Sequence, residues 1–289
     1  MNESAHGDVA ASGSFAIGGD LTVNRLGFGA MRITGPGIWG EPQDPEEARR
    51  VLKRSIELGV DLIDTADAYG PRVSERLIGE TLHPYPESFV VATKGGLTRP
   101  GPGRWVPDCS PAHLREAIEG SLQRLKLDRI DVYQLHTVDR KVPYADSIGA
   151  LAELRREGKI RHVGISNVSV ANIEQARGIV EVVTVQNLYN LADRSAEDVL
   201  DHCEREGIGF IPWFPLDAGK LAEPGGVVAD VAKRHDATPS QVAIAWLLKR
   251  SPVMLPIPGT SSVRHLEENC AAAELTLADE EFAAIAEVA

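Results

Sequence analysis

The hydrophobic positions of this chain fall into short, β-branched runs separated by longer amphipathic stretches. Eight such runs lie at 26–30, 60–63, 89–92, 130–135, 162–165, 182–185, 208–211 and 253–257. Runs of this length, rich in Val and Ile and bounded by polar turns, read as buried strands. Between and after them, apolar residues recur at three- and four-residue intervals near 45–58, 72–81, 111–125, 146–156, 169–178, 195–205, 238–249 and 262–273. That is the pattern of helices with one buried face. The first helix carries a clear start: Asp44 as N-cap, Pro45 in the first turn, and Glu47 to complete a capping box. Ala48, Val51, Leu52, Ser55 and Ile56 then share a face, and Gly59 offers a left-handed stop. The helix near 238–249 opens similarly with Thr238 and Pro239.

Ahead of the first run, 14–17 and 21–23 flank Gly18-Gly19-Asp20, which predicts a β-hairpin. Residues 1–13 are small and polar and read as a flexible tail, leaving 14–289 as a single domain. Strands alternating with helices eight times point to parallel β/α units. Their spacing fits an α/β fold of about 250 residues, the (β/α)8 TIM barrel, with the N-terminal hairpin plugging its bottom. An open doubly wound sheet is the competing arrangement, and it would carry G-x-G-x-x-G after its first strand. Here that position reads Gly27-Phe28-Gly29-Ala30-Met31-Arg32, without the third glycine.

In such a barrel, chemistry sits at the C-terminal ends of the strands. The second, third and fourth runs end in Asp64, Lys94 and His136, and Tyr69 follows Asp64 by five residues. A charged residue at one strand end is often only solvated. His136 alone could be a rim histidine and Tyr69 alone a loop anchor. Together they form an acid–base set. A neighbouring ammonium lowers a phenol's pKa, an aspartate keeps that ammonium charged, and a histidine can hold a substrate oxygen. Such a set could protonate a carbonyl oxygen as negative charge develops on it. It holds no source of hydride or electrons, which implies a cofactor. The segment after the eighth run, Gly259-Thr260-Ser261-Ser262, opens a helix whose N-terminus favours a phosphate, with Arg264 and His265 adding positive character. An ordinary serine N-cap explains the same residues.

Composition narrows the partners. Of 289 residues, 43% are apolar and 25% charged, which is ordinary globular usage and argues against disorder or a collagen-like chain. The formal net charge of −12 argues against a nucleic-acid binder, which presents a basic face. Cys109, Cys203 and Cys270 are too few and scattered for a disulfide framework or a zinc cluster, so no metal is expected and a reduced, cytoplasmic setting fits best. No apolar run approaches the ~18 residues of a membrane span. The first residues lack the basic and apolar regions of a secretory signal.

From about Leu21 to Ala289 the chain resembles the aldo-keto reductases. The resemblance is carried by LGFGAMR (26–32), GVDLIDTADAYG (59–70), VVATKGG (90–96), DVYQLH (131–136), GKIRHVGISN (158–167), VQNLYN (185–190), GFIPWFPL (209–216) and IPGTSSVRHLEEN (257–269). It implies that Asp64, Tyr69, Lys94 and His136 are the catalytic tetrad, with Tyr69 as proton donor. It implies that Ser166, Asn167 and Gln186 bind the nicotinamide carboxamide and that Trp213 stacks on the ring, where relatives often have tyrosine. Leu216 would meet the pyrophosphate through its backbone. Gly259, Thr260, Ser261, Arg264, His265, Glu268 and Asn269 would grip the adenosine end, with Glu268 and Asn269 at the adenine. Many members carry an arginine at the site of Ser261 or His265 to pair a 2′-phosphate; here Arg264 is one position off. NADPH is expected over NADH.

The variable segments 33–44, 82–88 and 186–194 resemble the bacterial pyridoxal reductase branch, whose members reduce pyridoxal to pyridoxine with NADPH. Trp39, in the loop after the first strand, and Trp105, in the loop after the third, are candidate substrate-pocket walls or loop anchors. The implied function is NADPH-dependent reduction of a small-molecule aldehyde or ketone to an alcohol. The alternatives are a sugar dehydrogenase, a lyase using Lys94 as a Schiff base, and an NADP(H)-binding redox sensor or regulatory subunit with little turnover.

Overall fold

The computed structural model describes residues 8–216 and 223–288. Eleven strands are assigned among them. The hairpin pairs β1 (Ser14–Ile17) with β2 (Leu21–Asn24), antiparallel. A parallel sheet of seven strands follows: β3 (Phe28–Gly29), β4 (Leu62–Asp64), β5 (Val90–Gly95), β8 (Ile130–Leu135), β9 (Ile160–Ser166), β10 (Val182–Leu188) and β11 (Gly209–Trp213), each beside its predecessor. A second hairpin, β6 (Leu97–Gly101) and β7 (Arg104–Pro107), rises from the end of β5 where the sequence reads only as a loop.

The eighth run is not assigned as a regular strand, yet it closes the ring. Phe210 N–H donates to the Val253 carbonyl, Leu255 N–H to the Phe210 carbonyl, and Gly27 N–H to the Pro256 carbonyl. Pro252, Pro256 and Pro258 have no N–H to donate, which breaks the ladder into isolated bonds. The fold is the (β/α)8 barrel expected.

The outer layer contains α1 (Pro45–Glu57), α2 (Val73–Leu82), α3 (Pro111–Leu125), α4 (Tyr144–Arg156), α5 (Val170–Arg177), α6 (Glu197–Glu206), α7 (Val227–Arg234), α8 (Pro239–Arg250), α9 (Val263–Ala271) and α10 (Asp279–Val288). Eight lie where the apolar periodicity puts them; α7 and α10 are additional. The capping box predicted for α1 is only half made. Asp44 accepts from Glu47 N–H at 2.9 Å, but the Glu47 carboxylate turns away to accept from Val263 N–H at 3.0 Å. An acid thereby caps α9, whose first turn holds no acid of its own.

The core divides by strand face. Leu62, Val90, Ala92, Val132, Val183, Ile211, Leu255 and Ile257 fill the barrel interior together with Ile17, Leu21 and Val23 from the hairpin, which plugs the bottom as expected. The alternate residues, among them Ile63, Val91 and Leu135, pack outward under the helices. Residues 8–13 do not form the flexible tail expected of them. Val9–Ser12 form a 3-10 turn, with Val9 and Ser12 buried and Ser12 Oγ accepting from Leu26 N–H. Residues 1–7 lie outside the described residues.

Candidate active site

Period-two alternation brings the acid–base residues together. In β4, Leu62 points inward and so does Asp64 two residues on; in β5, Val90 and Ala92 set the phase for Lys94. Val132 sets it in β8 for Gln134 and for His136 just past the strand. Strand β10 needs a correction of phase, because Val183 faces in while Val185 faces out. A register shift between Val182 and Thr184 resets the alternation and turns Gln186 inward. Gly164 on β9 makes room: a Cβ there would come within 2.2 Å of Thr184 Oγ1 and 2.8 Å of Gln134 Cγ.

Lys94 is fully buried and spends all three of its donors. Nζ lies 2.5 Å from Asp64 Oδ1, 2.8 Å from the Thr65 carbonyl and 3.2 Å from Tyr69 Oη. Burial alone would push its pKa down. The Asp64 charge and the Tyr69 hydroxyl outweigh that, and the ammonium is held above its ordinary range. Asp64 Oδ2 accepts from Gln134 Nε2 at 3.0 Å and from Gln186 Nε2 at 2.9 Å. Gln134 was not singled out by sequence reasoning. Its signal was its place in the same inward phase as His136.

Tyr69 is 7% exposed and its ring lies edge-on to His136 at 5.9 Å. The neighbouring ammonium pulls the phenol's pKa down, as expected, but burial outweighs it and the net shift is upward. The phenol therefore keeps its proton through the neutral range. His136 is driven well below the usual histidine value, first by burial and then by Lys94, so its imidazole is neutral.

Asp64, Tyr69, His136 and Gln186 line a cavity of about 720 Å³ together with Met31, Ser166, Trp213, Leu216, Ile257 and Gly259, while Lys94 lies behind them, outside the lining. Asn167 is not in the lining. It adopts a left-handed φ of 58°, donates to the His136 carbonyl and to Ser166 Oγ, and accepts from Trp213 Nε1 at 3.0 Å. Its side chain therefore holds the indole in place. Gly29 and Gly259 face each other across the seam; a Cβ on either would meet backbone at 2.5 Å.

An adjoining cavity of about 350 Å³ shares Met31, Arg32 and Ile38 with the first and reaches Asp44, Glu47 and Ser261. Thr260 is buried and its Oγ1 accepts from Ser262 N–H. Arg264 pairs with Glu268 at 2.5 Å and with His265 Nε2 at 2.7 Å, and Asn269 is buried. These five residues line neither cavity. Trp105 does line the main cavity, but Trp39 does not: it bridges to Gly70, and its neighbour Ile38 takes the wall.

A barrel whose upper rim carries a buried Asp–Lys–Tyr–His set beside an open trough defines an oxidoreductase of the aldo-keto reductase family. The chain belongs to that family: the aldo/keto reductase profile matches residues 25–289. It is similar to an uncharacterized oxidoreductase of Schizosaccharomyces pombe, 51% identical over 97% of this chain and 91% of that protein. It is 44% identical to pyridoxine 4-dehydrogenase of Escherichia coli, over 93% of this chain and 96% of that one. Among solved structures, an aldo/keto reductase of Klebsiella pneumoniae in complex with NADP and acetate matches with a TM-score of 0.82 and 25% identity, over 95% of this chain and 94% of the other.

Proposed function

We propose that this protein reduces the carbonyl group of an aldehyde or ketone with NADPH, and that pyridoxal is a substrate, with pyridoxine as product. The observation that carries the reading is the buried Tyr69 hydroxyl. It receives a hydrogen bond from a charged lysine and keeps its own proton for the cavity.

The residues fit a nicotinamide dinucleotide. The facing glycines at 29 and 259 allow close backbone approach, and the two cavities adjoin through Met31, Arg32 and Ile38 as one trough. Trp213, tethered by Asn167, offers a fixed ring face. Gln186 donates to Asp64 and lines the cavity, so its carbonyl oxygen is available to a carboxamide N–H. Ser166 would take the other side of that carboxamide, and Leu216 would meet the pyrophosphate. Arg264, His265, Glu268 and Asn269 would serve the adenosine end once their mutual pairing opens, with Arg32, Thr260 and Ser261 beside them. When bound, the dihydronicotinamide supplies a hydride to the carbonyl carbon.

The protein's own steps follow from the geometry. Neutral His136 donates a hydrogen bond to the carbonyl oxygen and fixes its position. Tyr69 Oη delivers its proton to that oxygen as negative charge builds on it. Lys94 stabilises the phenolate left behind, and Asp64, held by Gln134 and Gln186, keeps Lys94 charged. A Schiff-base role for Lys94 is disfavoured, because its ammonium is saturated with acceptors and held charged.

Oxidation of NADPH with pyridoxal, beside simple aldehydes, ketones and sugars, tests the reading. Preferential turnover of pyridoxal, with NADPH favoured over NADH, is expected. Turnover only of other carbonyls would remove pyridoxal and keep the mechanism. Tight NADPH binding without any turnover would overturn the enzymatic reading in favour of a sensor.

A further inference from the structure

One wall of the substrate end is held by a residue outside the acid–base set. Trp105, on β7, is 36% exposed and stands edge-on to Tyr69 at 6.4 Å and to His136 at 6.5 Å. One face of its indole is covered by the guanidinium of Arg99, whose Cζ lies 3.6 Å from the ring centroid. Arg99, on β6, is only 8% exposed and does not line the cavity. It ties three loops together. It donates to the carbonyl of Ala68, the residue before Tyr69, at 3.1 Å, and to that of Gly37 at 3.5 Å, and it lies 5.5 Å from the ring centroid of Trp39.

Arg99 is a buried cation with no carboxylate in ion-pair range among the described residues, and its Nε is buried without a partner. A charge in that position is costly unless something compensates it. Here the compensation is two carbonyl oxygens and the face of an indole, and the indole contact exists only while Trp105 lies over the guanidinium. A tryptophan on an exposed hairpin would otherwise exchange among rotamers. The stack gives it one, so the wall beside the reacting groups is flat, aromatic and rigid. Such a wall adds ring-to-ring attraction for a planar π-system and little for an aliphatic chain.

We propose that Arg99 is a specificity-determining positioning residue: by clamping Trp105 it makes the site select planar aromatic aldehydes. The proposal rests on the carbonyl-reduction reading, and its test separates the two. Pyridine-4-carboxaldehyde and butanal are titrated by calorimetry into the protein loaded with NADP+, which carries no hydride and leaves the aldehyde unreduced; steady-state reduction with NADPH follows. Arg99→Met keeps the stem and deletes the flat cation. It is expected to weaken pyridine-4-carboxaldehyde binding and raise its KM about tenfold, the size of a desolvated cation–π contact. Butanal binding should stay within about twofold, since it does not depend on that contact, and any effect of the lost bond to Ala68 on kcat should be the same for both aldehydes. Trp105→Ala, which opens the Arg99 guanidinium to water at an exposed position, should reproduce the loss, and the double variant should be no worse than Trp105→Ala alone.

Equal losses for both aldehydes, or additive losses in the double variant, would overturn the clamp. A parent protein that turns over no aldehyde would overturn the reductase reading, while the binding titrations would still decide the clamp.

Discussion

Burial sets the charge states on which the site depends. Tyr69 and His136 are both enclosed, and enclosure penalises the charged form of each. The phenol keeps its proton and the imidazole goes without one. On the proposed mechanism, that combination could donate to a carbonyl oxygen from two sides while Lys94 carries the positive charge of the set. A consequence can be measured. The pH profile of kcat for carbonyl reduction should be flat between about pH 6 and 7, because neither Tyr69 nor His136 titrates where an ordinary histidine would. An acid limb with a midpoint at the ordinary histidine value would contradict this account. The sequence made the four side chains legible but not their states. A lysine beside a tyrosine suggests a lowered phenol pKa; the enclosure that reverses the sign is a property of the closed barrel. Gln134 and the tethering role of Asn167 were hidden for the same reason, since both are defined by partners on other strands.

Among the elements, the hairpin that closes the barrel floor is tied by charge as well as by packing. Asp20, in its turn, accepts from Arg161 at 2.8 Å and contacts His162 Nε2 at 2.6 Å; Asn24, at its end, donates its backbone N–H to Asp61. Burial raises the Asp61 pKa to about 6, and the Asn24 bond only partly offsets it. At Asp61 the folded protein therefore binds more protons than the unfolded chain between about pH 4 and 6, and this group's contribution to stability falls as pH rises through that window. Above it, ionised Asp61 opposes folding. Asp61→Asn should raise the melting temperature near about pH 7.5 and change it little near pH 4, measured by thermal denaturation at both. A lower melting temperature at the higher pH would contradict the account.

Element boundaries were mostly legible because buried runs and amphipathic periods are local signals. The hairpin β6–β7 was not. Charged and proline residues mask its alternation, although Gly101-Pro102-Gly103 marks its turn. Helices α7 and α10 had usable signals in Val228, Val231 and Ala232, and in Phe282 and Ile285. The capping box failed because Glu47 finds a helix terminus from the far end of the chain, which no local pattern reveals.

At the scale of the whole molecule, closure of the ring turns separate strand ends into one site. The eighth run, interrupted by prolines, still joins β11 to the segment beside β3, and Gly29 meets Gly259 across that join. The repeat of strand and helix made the barrel legible. The trough could not be read from sequence, because it exists only once the ends converge. Residues expected to serve the cofactor divide three ways, with Asn167, Thr260 and Asn269 neither lining a cavity nor joining the Arg264 cluster. Ser166, Gln186, Trp213, Leu216, Gly259 and Ser261 line the joined cavities, while Arg264, His265 and Glu268 pair among themselves at the rim.

The central claim is that Tyr69 gives its proton to a carbonyl reduced within this trough. Its most direct test is the rate of NADPH-dependent pyridoxal reduction by Tyr69→Phe, measured beside the NADPH dissociation constant of the same protein. Removing a general acid should lower kcat by about 10²- to 10⁴-fold, and NADPH affinity should be unchanged. Near-normal turnover by Tyr69→Phe would contradict the account.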